Sequence, residues 1–123
     1  MFEFGHIGIP VTDLEESKKF YTEILECKIV KEYDYPEMTL VFLDGGGTYI
    51  ELVYKKNIEK VKSDNPSPID HLAFKVPNLD SLIKKLNDNN IEILREPKIV
   101  GKARILFFRG PNNEKFEFVE RIG

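Results

Sequence analysis

Apolar and polar residues alternate along several short segments of the chain, which is the pattern of strands with one buried face. From Gly5 to Val11, isoleucine or valine occupies every second position. Two segments instead carry apolar residues at helical spacing, and they should begin at Thr12 or Asp13 and at Asn78, residue types that commonly cap helices. The other predicted strands are 28–35, 38–43, 48–54, 69–76, 91–94, 103–109 and 115–120. The predicted order is a strand, a helix and three strands, followed by the same order again.

The two halves of the chain follow one plan. Residues 5–11 resemble residues 70–76, and residues 49–53 resemble residues 115–119. The two histidines of the chain, at 6 and 71, are 65 residues apart, and the glutamates at 51 and 117 are 66 residues apart. We therefore expect one domain over residues 1–123, with two similar halves at about 1–56 and 69–123 and a polar connector at 57–68.

Four polar residues recur at equivalent positions of the two halves. They are His6, Glu51, His71 and Glu117. Both glutamates have apolar neighbours, and because side chains alternate across a strand, those neighbours can pack under a helix while the carboxylates project from the other face. Gly8 and Ala73, the next residues on that face, are small and leave space above the sheet. A lone strand histidine or glutamate is usually structural or exposed, but the repetition favours a divalent metal site.

Composition and charge narrow the function classes. The chain has 123 residues, of which 41% are hydrophobic and 32% charged, as expected of one soluble domain. A formal net charge of -3 argues against nucleic-acid binding, and no apolar run approaches the roughly 18 residues of a membrane span. The N-terminus has no basic region of the signal-peptide type, and the single cysteine, Cys27, fits a reducing compartment. These features predict a cytoplasmic protein that binds neither nucleic acid nor membrane.

Several further residues have two interpretations. Phe42, Phe107 and Phe108 are predicted to lie in the core or in a cleft wall, with stacking on a substrate as the alternative. Arg104 and Arg109 are predicted at a solvated strand end, with anion binding as the alternative. A register shift of one residue would exchange the faces of that hairpin, so the sequence leaves these alternatives open.

The motifs resemble those of the vicinal oxygen chelate superfamily, the group of glyoxalase I, bleomycin-resistance proteins and extradiol dioxygenases. They are HIGI from His6, YIEL from Tyr49, DHLAFKV from Asp70, and GPNN from Gly110 leading into FEF. The resemblance spans essentially the whole chain. It implies an α+β fold in which two βαβββ modules form a cupped mixed sheet around a metal ion. It also implies that the metal ligands are His6, Glu51, His71 and Glu117.

A His/Glu/His/Glu set is similar to that of glyoxalase I. It implies a metal-dependent lyase that isomerises the thiol hemithioacetal of a 2-oxoaldehyde such as methylglyoxal through an enediolate, with one divalent ion per site (Ni, Co, Zn or Mn). Glu117 would be the base, and Glu51 a ligand or second proton shuttle. The alternatives are an epimerase like methylmalonyl-CoA epimerase, although those commonly have glutamine in place of Glu51, and a non-catalytic small-molecule-binding resistance protein. Pro10 and Lys55 replace an arginine and an asparagine that commonly contact glutathione, so the thiol stays open.

The resemblance also bears on assembly. Small members of this family often build each site from halves of two chains, and this chain is too short to enclose a deep cleft with loops. We therefore expect a two-fold symmetric homodimer with sites at the interface. Each site would take His6 and Glu51 from one chain and His71 and Glu117 from the other.

Overall fold

The structure, a computed structural model, describes residues 6–57 and 71–123. The chain divides into two compact units, one containing each of these ranges. The predicted connector, 57–68, lies outside the described residues except for Asn57. Within the described ranges, no helix is long and apolar enough to cross a membrane.

The first unit is a four-stranded mixed sheet with one helical segment. Its elements are β1 (His6–Pro10), α1 (Leu14–Lys19), β2 (Lys28–Asp34), β3 (Met38–Asp44) and β4 (Tyr49–Lys55). The strand order is β1-β4-β3-β2, and β1 runs parallel to β4 while the other pairs are antiparallel. Asp13 is the N-cap of α1, because its carboxylate accepts a hydrogen bond from the Glu16 N–H. The helix continues into a π-helical segment, Phe20–Ile24.

The second unit repeats this arrangement. Its elements are β5 (Leu72–Lys75), α2 (Leu79–Asp88), β6 (Lys98–Val100), β7 (Ala103–Arg109) and β8 (Lys115–Arg121). The strand order is β5-β8-β7-β6, and β5 is parallel to β8. Asn78 caps α2 as predicted, since its side chain accepts the Ser81 N–H. The α+β class and the twofold βαβββ order are thus confirmed.

One strand prediction is wrong. Residues 91–94 were expected as a strand, but only Ile93 forms an isolated bridge, to Phe108, and the edge strand is β6. Backbone hydrogen bonds do join Leu94 N–H to Phe107 O and Arg109 N–H to the Glu92 carbonyl. The edge is therefore divided, with residues 92–94 beside one end of β7 and β6 beside the other. Pro97 stands between the two parts and has no N–H for a continuous ladder.

The buried core lies on one face of each sheet. Ile50 and Leu52, the neighbours of Glu51, are buried, and α1 packs against β4. The phenylalanines on either side of Glu117 are also buried, and α2 packs against β8. Full burial of one such side chain contributes about 1.5–3 kcal/mol to folding. The glutamates between these core residues are therefore held on the face away from the helix.

Candidate metal centre

In the first unit, a histidine and a glutamate meet across the parallel pair β1 and β4. Gly8 lies opposite Glu51 in the register, so His6, two residues earlier on β1, projects from the same face. His6 Nε2 is 3.6 Å from Glu51 Oε1, and the two side chains are 46% and 16% exposed. A Cβ on Gly8 would stand 3.4 Å from that same oxygen, in ordinary contact. Glycine therefore leaves the space beside the carboxylate open.

The second unit builds the same pair from β5 and β8. Ala73 lies opposite Glu117, and His71 directly precedes β5. His71 Nε2 is 3.4 Å from Glu117 Oε1, and the side chains are 38% and 14% exposed. Ala73 is exposed and, like Gly8, small. The structure thus places each predicted histidine beside the glutamate of its own half.

These pairs suit a divalent cation. Imidazole nitrogen and carboxylate oxygen are both metal donors, and two donors each about 2.1 Å from one ion lie about 3.0–3.4 Å apart. The observed separations of 3.6 and 3.4 Å are close to this range, so each pair needs only a small adjustment to share an ion. Among the described residues, no group of three or more His, Cys, Asp or Glu side chains is assembled as a metal site. The four predicted ligands are therefore present as two pairs.

A phenylalanine backs each histidine. Phe42 lies opposite Glu51 and meets the His6 ring edge-to-face, with the ring centroids 5.3 Å apart. Phe107 lies opposite Glu117 and meets the His71 ring in the same way at 5.7 Å. Such pairs contribute about 0.5–1.5 kcal/mol beyond burial and restrict the orientation of the ring. Both phenylalanines are wall residues of this face, whereas Phe108 is a fully buried core residue on the other.

Cationic and phenolic groups also lie on this face, and the sequence analysis did not single them out. Lys115 Nζ lies 4.7 Å from the centroid of the Phe107 ring. On the first sheet, the Tyr33 ring packs edge-to-face on Phe42, and Lys31 Nζ lies 5.0 Å above Tyr33. A hydrogen bond to Tyr33 raises the pKa of Lys31. Alternation along the strands could have indicated these residues. Lys115 lies two positions before Glu117 on β8, and Lys31 lies opposite Phe42 and two positions before Tyr33 on β2, so all three face the same way as the site.

Arg104 and Arg109, for which the sequence left two interpretations, both contact other residues of the second unit. Arg104 forms an ion pair with Asp80 of α2, 2.8 Å from nitrogen to oxygen, so it lies on the helix side. Arg109 donates a hydrogen bond to the Asn113 carbonyl across the β7–β8 turn at 3.3 Å. Because side chains alternate along β7, Arg104 lies on the helix side of the sheet and Arg109, an odd number of positions away, lies on the opposite face.

Two matching βαβββ units, each with a histidine–glutamate pair on the face away from its helix, define the class of this α+β protein. Residues 3–118 match the family model of the Glyoxalase/Bleomycin resistance protein/Dioxygenase superfamily. The chain belongs to this superfamily, which confirms the resemblance.

Relatives with named activities fall in more than one branch. The chain is 31% identical over 123 residues to a probable lactoylglutathione lyase of Synechocystis sp., covering 94% of this chain and 92% of that protein. It is 25% identical over 117 residues to the mitochondrial methylmalonyl-CoA epimerase of Bos taurus, covering 89% and 67%. The structure of the trypanothione-dependent glyoxalase I of Leishmania major matches with a TM-score of 0.82 at 29% identity, covering 98% of this chain and 87% of that one.

Proposed function

We propose that this protein is a metal-dependent lyase of the glyoxalase I type, acting on the hemithioacetal of a 2-oxoaldehyde and a thiol. The observation that carries the proposal is the repeated pair, with histidine nitrogen and glutamate oxygen 3.6 Å apart on one sheet and 3.4 Å apart on the other. The lactoylglutathione lyases among its relatives support the same reaction. The free, buried Cys27 suits a reducing cytoplasm as the compartment.

The proposed ligands of one divalent ion are the four repeated side chains. They are His6, Glu51, His71 and Glu117. Two neutral imidazoles and two carboxylates would balance the charge of Ni, Co, Zn or Mn. Such an ion, when bound, would act as a Lewis acid toward the substrate oxygens.

Glu117 is the proposed general base. Its carboxylate would take a proton from the hydroxyl-bearing carbon of the hemithioacetal and return it to the neighbouring carbonyl carbon, which yields the thioester of a 2-hydroxy acid. Ala73 opposite it leaves room for a substrate carbon within hydrogen-bond reach. Glu51, at the equivalent place of the first sheet, would serve as ligand or second proton shuttle.

The second candidate is an epimerase, which the similarity to the bovine methylmalonyl-CoA epimerase favours. The same carboxylates would then remove a proton from a carbon next to a thioester and restore it to that carbon from the opposite side. A metal-loaded assay separates the two reactions, with methylglyoxal and several thiols in one arm and methylmalonyl-CoA in the other. Turnover in neither arm, with metal content verified, would contradict both proposals and favour a non-catalytic binding protein.

The role of Glu117 is tested by Glu117→Gln. The amide oxygen can still coordinate a metal ion but cannot accept the proton, so turnover should fall about 10²–10⁴-fold while some metal binding remains. Glu96→Gln, at an exposed position of the second unit, is the matched control and should leave turnover unchanged. Near-normal turnover of Glu117→Gln at matched metal content would exclude Glu117 as the base.

A complete site in this proposal lies between two chains of a homodimer. Since each unit supplies one histidine–glutamate pair, His6 and Glu51 of one chain would join His71 and Glu117 of the other. The test mixes His6→Ala chains with His71→Ala chains, each inactive alone. One site of the heterodimer then carries both lesions and the other none, so up to half of the activity per heterodimer should return. No recovery despite confirmed subunit exchange would place each site within one chain.

A further inference from the structure

The second unit carries a depression on the same sheet face as His71 and Glu117. Its volume is about 420 Å³, and its lining residues are Lys75, Val76, Lys102, Ala103, Val119 and Arg121. Val119 and Arg121 follow Glu117 at alternate positions of β8, so they share its face. At about 3.3 Å per residue, the depression extends from about 7 to about 13 Å from Glu117 along the strand.

Three cationic side chains surround this depression, and among the described residues no carboxylate lines it. Some cations of this unit have a carboxylate partner, as Lys84 has in Asp88 at 2.7 Å. In the part of the chain that the structure describes, no ion pair involves Lys75, Lys102 or Arg121. Arg121 donates its Nε–H to the Gly123 carbonyl at 2.8 Å, which leaves the terminal guanidinium nitrogens available for another acceptor.

The first unit lacks this cluster of charge. The residue equivalent to Lys75, 65 positions earlier, is Pro10, and the residue equivalent to Lys102 is Glu37. Lys55, 66 positions before Arg121, keeps its positive charge. The three positions therefore sum to no net charge in the first unit and to three positive charges in the second. Since both copies keep the histidine–glutamate pair, the cationic depression is a separate feature of the second sheet.

We infer that this depression binds an anionic group, a carboxylate or phosphate, at the far end of the thiol part of the substrate. The inference rests on the proposed function, and it adds the class of thiol: one with a negative charge about 7–13 Å from the reacting carbon, by the strand spacing. Charge-assisted hydrogen bonds from the lysines and from the arginine fork would hold the anion. Val119 and Ala103 give the depression an apolar floor, which suits the methylene groups that lead to the charge.

The test compares two thiols of equal length. Methylglyoxal is mixed with 6-mercaptohexanoate or with the neutral 6-mercaptohexanol, and the extended chain of single bonds near 1.5 Å places the terminal group about 9 Å from the hemithioacetal carbon. The variants are Lys75→Gln and Arg121→Gln. Lys84→Gln removes an equal charge from α2, on the helix side of the same unit, and serves as the control.

The acid adduct should have the lower KM, and added salt should raise that KM while leaving the KM of the alcohol adduct unchanged. Each variant should raise the KM of the acid adduct about five- to tenfold, leave kcat near normal and spare the alcohol adduct. The inference is overturned if acid and alcohol adducts have equal KM values, or if the variants affect both adducts equally.

If neither adduct is turned over, the proposed function has failed and the depression is tested by binding alone. Titration with 6-mercaptohexanoate, followed by backbone NMR, should then shift the amide signals of Ala103 and Val119 in a saturable and salt-sensitive way. Lys75→Gln should weaken that binding and Lys84→Gln should not. The absence of saturable shifts at these residues would overturn the inference independently of catalysis.

Discussion

Replacing the consecutive phenylalanines Phe107 and Phe108 of β7 by alanine should have different effects, one mainly on the metal centre and the other mainly on stability. Phe108 is fully buried and packs on Phe116 and Phe118, with ring centroids 5.5 and 4.5 Å away. Removing such a ring from a core costs about 3–5 kcal/mol in the free energy of unfolding, because both burial and contacts are lost. For a domain of 123 residues, this corresponds to a Tm lower by about 12–20 °C.

Phe107 is only half-buried, and its ring contacts a proposed metal ligand and a lysine on the same sheet face. Its ring meets His71 at 5.7 Å and the Lys115 ammonium at 4.7 Å. An aromatic pair and a cation–π contact are each worth about 0.5–1.5 kcal/mol, so Phe107→Ala should destabilise by about 1–3 kcal/mol. The larger effect should be on the His71 ring, which loses the neighbour that restricts its orientation.

Urea unfolding and NMR measure these two effects separately. Phe108→Ala should lower the unfolding midpoint strongly, whereas Phe107→Ala should change the ring proton shifts of His71 and weaken metal binding with a small loss of stability. The His6 ring, in the other unit, serves as an internal control for Phe107→Ala. Equal destabilisation by both variants, or an unchanged His71 signal in Phe107→Ala, would refute the assignment of the two rings to opposite faces.

Two further predictions concern Cys27 and the metal. Burial, with a smaller effect from the Asp44 charge, raises the pKa of the Cys27 thiol from 9.0 to about 11; alkylation by iodoacetamide at neutral pH should therefore be about 100-fold slower in the folded protein than in urea. Because the folded thiol keeps its proton while the unfolded thiol loses it, the free energy of unfolding should fall as the pH rises from 9.0 to about 11. Dialysis against a chelator should abolish turnover and added divalent ions should restore it, whereas full activity of protein shown to be metal-free would contradict the metal proposal.

Much of the fold follows from local features of the sequence. Alternation marks β1 and the first half of β8, and the glycines after Asp44 mark the turn between β3 and β4, where Gly46 and Gly47 adopt positive φ angles of 84° and 142°. The sequence also predicts that His6 and Glu51 lie on the same face of the sheet. The repeat identifies the equivalent residues of the two halves, and alternation along each strand determines which side chains share a face.

Other features depend on contacts that are distant in sequence. The first helix changes to a π-helical segment at Phe20, although the side-chain pattern of residues 14–25 predicts one continuous helix. The edge strand of the second unit begins after Pro97, and its pairing with only one end of β7 depends on the hairpin register. The cationic depression likewise needs β5, β8 and the turn at Lys102 to be adjacent, which no local pattern specifies.

The change of the repeat spacing from 65 to 66 residues leads to a final prediction. The β3–β4 turn has four residues, 45–48, and the β7–β8 turn has five, 110–114, so the added residue lies in a turn. An added residue within a strand would exchange its faces and direct the carboxylate toward the helix. Inserting one glycine between Gly46 and Gly47 should therefore preserve metal binding and cost about 1 kcal/mol or less, by analogy with tolerated loop insertions.

Inserting one alanine after Ile50 should have a much larger effect. It would move Glu51 to the buried face of β4 and bring an apolar residue to the exposed one, so an unpaired carboxylate would have to enter the core. Thermal unfolding and metal titration of the two insertion variants give the comparison, with matched glycine and alanine insertions at the second turn and after Phe116 as the parallel pair. If the turn insertion abolishes metal binding as completely as the strand insertion, alternation along β4 is not what places Glu51 beside His6.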